Sequence, residues 1–161
     1  MKDRLENRLI EDRVARLLHE SNSQVQVTLE SHFPGGRMAG GKYNMGRHLI
    51  TLYIEEIKAQ CMQLYGSHDL LEAYVDIVLA HEIGHAEDAD LDRLASLMDA
   101  SDSELERSRI ALRIEENAWA YARALLPETS GPMLDEIVRE SLQAYHEAID
   151  ELELELQPIG A

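Results

Sequence analysis

The chain is poor in sulfur, in aromatic rings and in positive charge, and each shortage excludes something. One cysteine, Cys61, stands among 161 residues, which rules out an internal disulfide and a zinc cage built from thiolates. Its neighbours Ala59, Met62 and Leu64 are apolar, so the thiol reads as a small buried hydrophobe. Aromatic residues make up 5%, with a single Phe and a single Trp; Leu, Ile, Val, Ala and Met must therefore build the core. No apolar run reaches the roughly 18 residues that a membrane-spanning helix needs. The charged opening Met1-Lys2-Asp3-Arg4-Leu5-Glu6 holds no signal-peptide core, and a soluble cytoplasmic protein is expected. Lys and Arg number 15 against 31 Asp and Glu, for a net charge of −16. Such a surface repels nucleic acid and anionic lipid, so neither nucleic acid nor a membrane is an expected partner.

What is present is the composition of one globular domain spanning residues 1–161, with 45% hydrophobic and 29% charged residues. Residues 3–20 space Leu5, Leu9, Val14, Leu17 and Leu18 as an amphipathic helix. Residues 24–30 alternate polar and apolar, the pattern of a half-buried strand. Pro34-Gly35-Gly36 and Gly40-Gly41 read as a glycine-rich loop, and residues 48–54 as a second strand. Helices follow over 55–65, from a capping-box-like Asp69-Leu70-Leu71-Glu72 into the 80s, over 91–100, over 105–126 up to Pro127, and over about 133–156. The period-two run Glu151-Leu152-Glu153-Leu154-Glu155-Leu156 weakens the last assignment at its end. The predicted class is α+β: mostly helical, with a small sheet. The final helix can pair with a second copy or close the core, so the sequence leaves the oligomeric state open.

The informative stretch is His81-Glu82-Ile83-Gly84-His85, an H-E-x-x-H. Two histidines four residues apart share one helix face, about 6 Å apart along the axis. Both imidazoles can reach one Zn²⁺ at about 2.0–2.1 Å. Glu82 points beside such a cation, where it can take a proton from water as general base and return it to a leaving group. The residues before it, Tyr74, Val75, Ile77, Val78, Leu79 and Ala80, are apolar, so the histidines extend a buried helix. Two unpartnered polar rings in a core are costly, which argues against a purely structural pair. Gly84 costs about 1 kcal/mol in a helix; its missing side chain would let another segment approach.

A catalytic zinc commonly takes three protein ligands and keeps one open position. The continuation H-x-x-G-x-x-H is absent, since Asp88 and Leu91 stand at the glycine and third-histidine positions. A glutamate on a later helix is the natural third ligand. Glu115 shares a helical stripe with Leu112, Ala118, Trp119, Ala122 and Leu126, the side expected to face the core. Glu116 shares its stripe with Arg109, Arg113 and Arg123, the solvated side. Phase favours Glu115, with Glu116 as the second candidate. Two imidazoles and a carboxylate also suit iron, cobalt or nickel.

The segments His81-Glu82-Ile83-Gly84-His85 and Glu115-Glu116-Asn117-Ala118-Trp119-Ala120, followed by Leu125-Leu126-Pro127, resemble the gluzincin metallopeptidases, most closely the compact ImmA/IrrE type. The resemblance covers about residues 25–127, the expected core of the domain. It implies a zincin-like active-site helix and zinc-dependent hydrolysis of peptide bonds. It also implies His81, His85 and Glu115 as zinc ligands, Glu82 as the catalytic base, and a peptide or protein substrate. The edge strand that pairs with substrate in that family is expected at 48–54, preceded by Gly41-Lys42-Tyr43. One departure stands out: thermolysin-like members carry Asp four residues after the ligand glutamate, where this chain has Trp119. The group that orients a histidine must then come from elsewhere, such as Asp88 or a backbone carbonyl. Tyr121, Tyr145 and His146 are candidate oxyanion donors. His19, His32, His48 and His68 lack ligand spacing, and the acidic run 87–92 reads as a solvated helix end. Two other readings remain: an acidic helical interaction protein that imitates nucleic-acid charge, and a zinc-bound relative that binds peptides without cutting them.

Overall fold

The computed structural model describes residues 1–34 and 39–157. Gly35 and Gly36 of the expected loop, and residues 158–161, lie outside the described residues. The first helix, α1 (Lys2–Ser21), buries Ile10 and Leu17, the core-facing positions of its apolar stripe. It leads to β1 (Gln26–Glu30), which is shorter than the alternation implies. The backbone N–H of Val25 donates to Ser23 Oγ at 3.2 Å, so residues 23–25 form a side-chain-closed turn rather than a ladder.

Two corrections concern the sheet. A third strand, β2 (Gly41–Asn44), occupies what reads as the end of the loop, and β3 (Leu49–Tyr53) follows it. The order is β1-β3-β2, with β3 parallel to β1 and antiparallel to β2. Residues 48–54 are thus the centre of the sheet and not its edge; both ladders of β3 are filled, and the open edge beside the histidines belongs to β2. The glycine that hides this strand has a packing role. A Cβ on Gly41 would lie 3.0 Å from Glu82 Cγ and 3.2 Å from a Leu52 methyl, so a bare backbone lets β2 close onto the helix beneath.

That helix is α3 (Leu71–Ala86), and it is the central rod. It runs against α1, against α2 (Ile54–Tyr65), against the sheet and against α5 (Glu104–Leu125). Val75, Ile77, Leu79, Ala80 and Ile83 are fully buried, and each large aliphatic side chain removed from water stabilises the fold by about 1.5–3 kcal/mol. Its start differs from expectation. Leu70 occupies the cap with no side-chain bond, while the Asp69 N–H donates to Ser67 Oγ at 3.2 Å. The predicted capping box is not formed. By contrast, Ser103 caps α5, accepting from the Glu106 N–H at 3.1 Å. Arg13 of α1 clamps α3 by donating to Asp76 through Nε at 2.9 Å and Nη2 at 2.6 Å, a bidentate pair.

Helix α4 (Leu91–Ala100) packs on α5, and so does α6 (Gly131–Glu155). The period-two run of α6 stays helical through Glu155, with Leu154 and Leu156 exposed. One hydrophobic cluster joins α1, the sheet, α2, α3, α5 and α6. The architecture is thus α+β, mostly helical with a small mixed sheet, as the sequence predicts. Cys61 is buried and free. Among the described residues no helix is long and apolar enough to cross a membrane.

Candidate metal centre

The site forms where α3 and α5 touch. Gly84 faces the backbone of Ala118, and a Cβ there would sit 2.9 Å from Ala118 Cα. Only glycine permits this approach. Glu115 stands three residues before Ala118 on α5, one turn back on the same face, so close helix contact carries its carboxylate to the histidines. Glu115 Oε2 lies 2.7 Å from His81 Nε2 and 3.5 Å from His85 Nε2. One ligand atom from each of the three residues falls within 4.8 Å of the other two. Glu116 is exposed and points away, as helical phase predicts.

The surrounding groups fix these atoms. His81 Nδ1 lies 3.2 Å from Glu82 Oε2. Nε2 faces Glu115 Oε2 as well, so without a metal both ring nitrogens can donate to carboxylates; a cation taking the place of the Nε2 proton would leave the Nδ1 proton hydrogen-bonded to Glu82. The His81 ring stacks on Trp119, with centroids 4.2 Å apart and planes at 22°. Trp119 Nε1–H donates to Ser141 Oγ at 3.3 Å, and the Tyr145 hydroxyl donates to Glu115 Oε1 at 3.4 Å.

Electrostatically the cluster is tightly coupled. Burial disfavours charge on His81, but the carboxylates of Glu115 and Glu82 outweigh it and push the imidazole up to about 9. Burial works against ionised Glu115 too, yet the two histidines hold its carboxyl well below the usual carboxylate range. Tyr145 is shifted above its ordinary value, by burial first and then by the Glu115 charge. It is a neutral hydroxyl donor at physiological pH.

The three converging groups and Glu82 line an open cleft of about 410 Å³. Its opposite wall is β2, with Gly41, Lys42 and Tyr43, and its apolar flanks are Phe33, Met45 and Leu91. Sequence reasoning missed Phe33 and Met45, and it had Gly41-Lys42-Tyr43 only through the family resemblance, as the lead into an edge strand expected at 48–54, because without β2 nothing placed them beside the histidines. The Tyr43 hydroxyl meets His48 Nδ1 at 2.8 Å at the exposed rim. A period-two reading continued from Gly41 to Tyr43 was the available signal.

Other expected contributors fall elsewhere. Asp88 does not orient a histidine; it accepts from Asn117 Nδ2 at 3.3 Å and from the Asp90 N–H at 2.9 Å, which ties the end of α3 to α5. Of the three candidate oxyanion donors, Tyr145 reaches the site, and it does so through Glu115. Tyr121 lies toward Ser21 at the end of α1, and His146 is exposed on α6. His32 pairs with Glu56 and His68 with Glu6, and His19 is exposed. No family model, no curated protein and no solved structure matches this chain, so the site is read from its own geometry.

Proposed function

We propose that the protein is a zinc-dependent peptidase. The observation that carries this reading is the convergence of two imidazole nitrogens and one carboxylate oxygen at the floor of a cleft, beside a buried glutamate. The resemblance of the two motif segments to the compact gluzincins supports it.

The donor set fits the ion. Zinc bound at about 2.0–2.1 Å in tetrahedral geometry separates its ligand atoms by about 3.3 Å. The contacts of 2.7 and 3.5 Å at Glu115 Oε2 bracket that spacing. Three such ligands leave one corner for water or substrate.

When bound, zinc supplies a Lewis acid for a scissile carbonyl and for water. Glu82 does the proton work, accepting a proton from the attacking water on its carboxylate and delivering it to the departing amine. The same carboxylate keeps His81 in the right tautomer. The open edge of β2 offers N–H and C=O groups to an extended peptide, which would lie across the cleft as a further strand.

Metal analysis of the purified protein, together with digestion of a peptide library by wild type and Glu82→Gln, tests the reading. The expected result is one zinc per chain and cleavage that Glu82→Gln abolishes while keeping the metal. Full activity in Glu82→Gln removes the catalytic role. Zinc without cleavage in either protein points instead to a peptide-binding relative.

A further inference from the structure

We propose that Tyr145 is a positioning residue of the metal centre, holding Oε1 of Glu115 so that Oε2 alone is presented to the cation. The inference rests on the reading of His81, His85 and Glu115 as ligands. A carboxylate can bind a metal through one oxygen or through both. In this site the difference is functional, because a second oxygen would take the corner that water or substrate must occupy. The two oxygens of Glu115 are already distinguished. Oε2 faces His81 and His85, whereas Oε1 receives the Tyr145 hydroxyl at 3.4 Å. That distance exceeds the roughly 2.5–3.0 Å of an ordinary O–H···O bond, so the contact is a weak one in the metal-free site; the donor is half-buried beside a mostly buried acceptor.

The contact comes from α6, a helix beyond the stretch that resembles the gluzincins. Ser141 and Tyr145 are four residues apart and share one face of α6. Ser141 accepts from Trp119, which stacks on His81, and Tyr145 donates to Glu115. One helix face thus supports one ligand directly and another through an indole. The hydroxyl partners of Glu115 and Trp119 sit on a later helix, while Glu82 serves the His81 Nδ1–H.

The test is a double-mutant cycle on zinc affinity, measured by competition with a chromogenic chelator, for wild type, Tyr145→Phe, Glu115→Ala and the double variant. Tyr145→Phe should weaken zinc roughly tenfold, the lower end of what lost outer partners cost a site. In the Glu115→Ala background the same change should have no effect, because its route to the metal is gone. Cobalt-loaded Tyr145→Phe should absorb more weakly in the visible than cobalt-loaded wild type, as the freed oxygen raises the coordination number. Melting of the metal-free proteins separates these effects from loss of fold. The proposal is overturned if Tyr145→Phe matches wild type in zinc affinity and cobalt spectrum, or loses the same factor in both backgrounds. The metal reading fails separately, and the proposal with it, if wild type takes up no zinc or Glu115→Ala binds it as tightly as wild type.

Discussion

Trp119 lies nearly flat on His81, with ring centres 4.2 Å apart, at the position where a thermolysin-like site would carry a carboxylate. The two arrangements fix an imidazole by different physics. A carboxylate holds a ring by its N–H; an indole holds it by its face and by excluding water from it. Here the N–H is served instead by Glu82, the neighbouring residue. Trp119→Leu keeps apolar bulk but removes the stacking plane and the bond to Ser141. The expected loss of stability is about 2–4 kcal/mol in urea unfolding of the metal-free protein, with weaker zinc binding in chelator competition. Unchanged zinc affinity would show that Glu82 alone orients the ring.

Gly84→Ala sets two effects against each other. Alanine favours the helix by about 1 kcal/mol over glycine. The added methyl, however, would meet the backbone of Ala118, with Cα at 2.9 Å, and backbone cannot swing aside as a flexible side chain does. The helices must part, at a cost of about 1–3 kcal/mol or more, and Glu115 moves off with α5. A lower melting temperature together with reduced zinc uptake is the expected outcome. A stabilised protein with intact metal binding would mean that the contact between α3 and α5 is looser than it stands here.

Neighbouring glutamates provide a clean comparison. Glu115 is mostly buried against both histidines, whereas Glu116 is exposed. Glu115→Gln should remove most zinc uptake, and Glu116→Gln should leave uptake and stability within about 0.5 kcal/mol of wild type. Elemental analysis after dialysis against trace zinc reads the difference. Equal retention by both variants would exclude Glu115 as the third ligand.

The same pair shows what was legible in the sequence. Helical phase alone separated Glu115 from Glu116, because burial follows the stripe of a long regular helix. H-E-x-x-H is equally legible, since its spacing sets both histidines on one face. Gly84 announced a close approach because glycine in a buried helix has few other uses. The sheet was harder to read. β2 is four residues long and begins with a glycine, so a residue needed for packing against Glu82 looked like punctuation, and β3 was misplaced at the edge. Tyr145 was visible as a hydroxyl but not as the partner of Glu115. That relation depends on how α6 lies across α5, which no local pattern encodes. Asp69 shows the reverse failure: a good capping pattern lost to a turn closed by Ser67.

The electrostatic coupling at the site predicts how chelator-stripped protein responds to pH. His81 is raised in the folded state to about 9 from an ordinary 6.5. A raised imidazole contributes stability that is fully present below the unfolded value of 6.5 and is lost as pH climbs through about 9. Glu115 is shifted the opposite way, from an ordinary 4.5 downward. Its contribution is present above 4.5 and disappears as the solution is acidified below that value. The two windows overlap between 4.5 and 6.5, where the cluster should be most stabilising. Moving the metal-free protein from near pH 6 to about pH 10 should therefore cost on the order of 1–3 kcal/mol through His81. Urea midpoints at the two pH values measure the loss. Other groups titrate over the same range, so His81→Gln is the reference: its midpoint should fall less than that of wild type. Parallel curves for the two proteins would show that the imidazole is not held charged by Glu115 and Glu82.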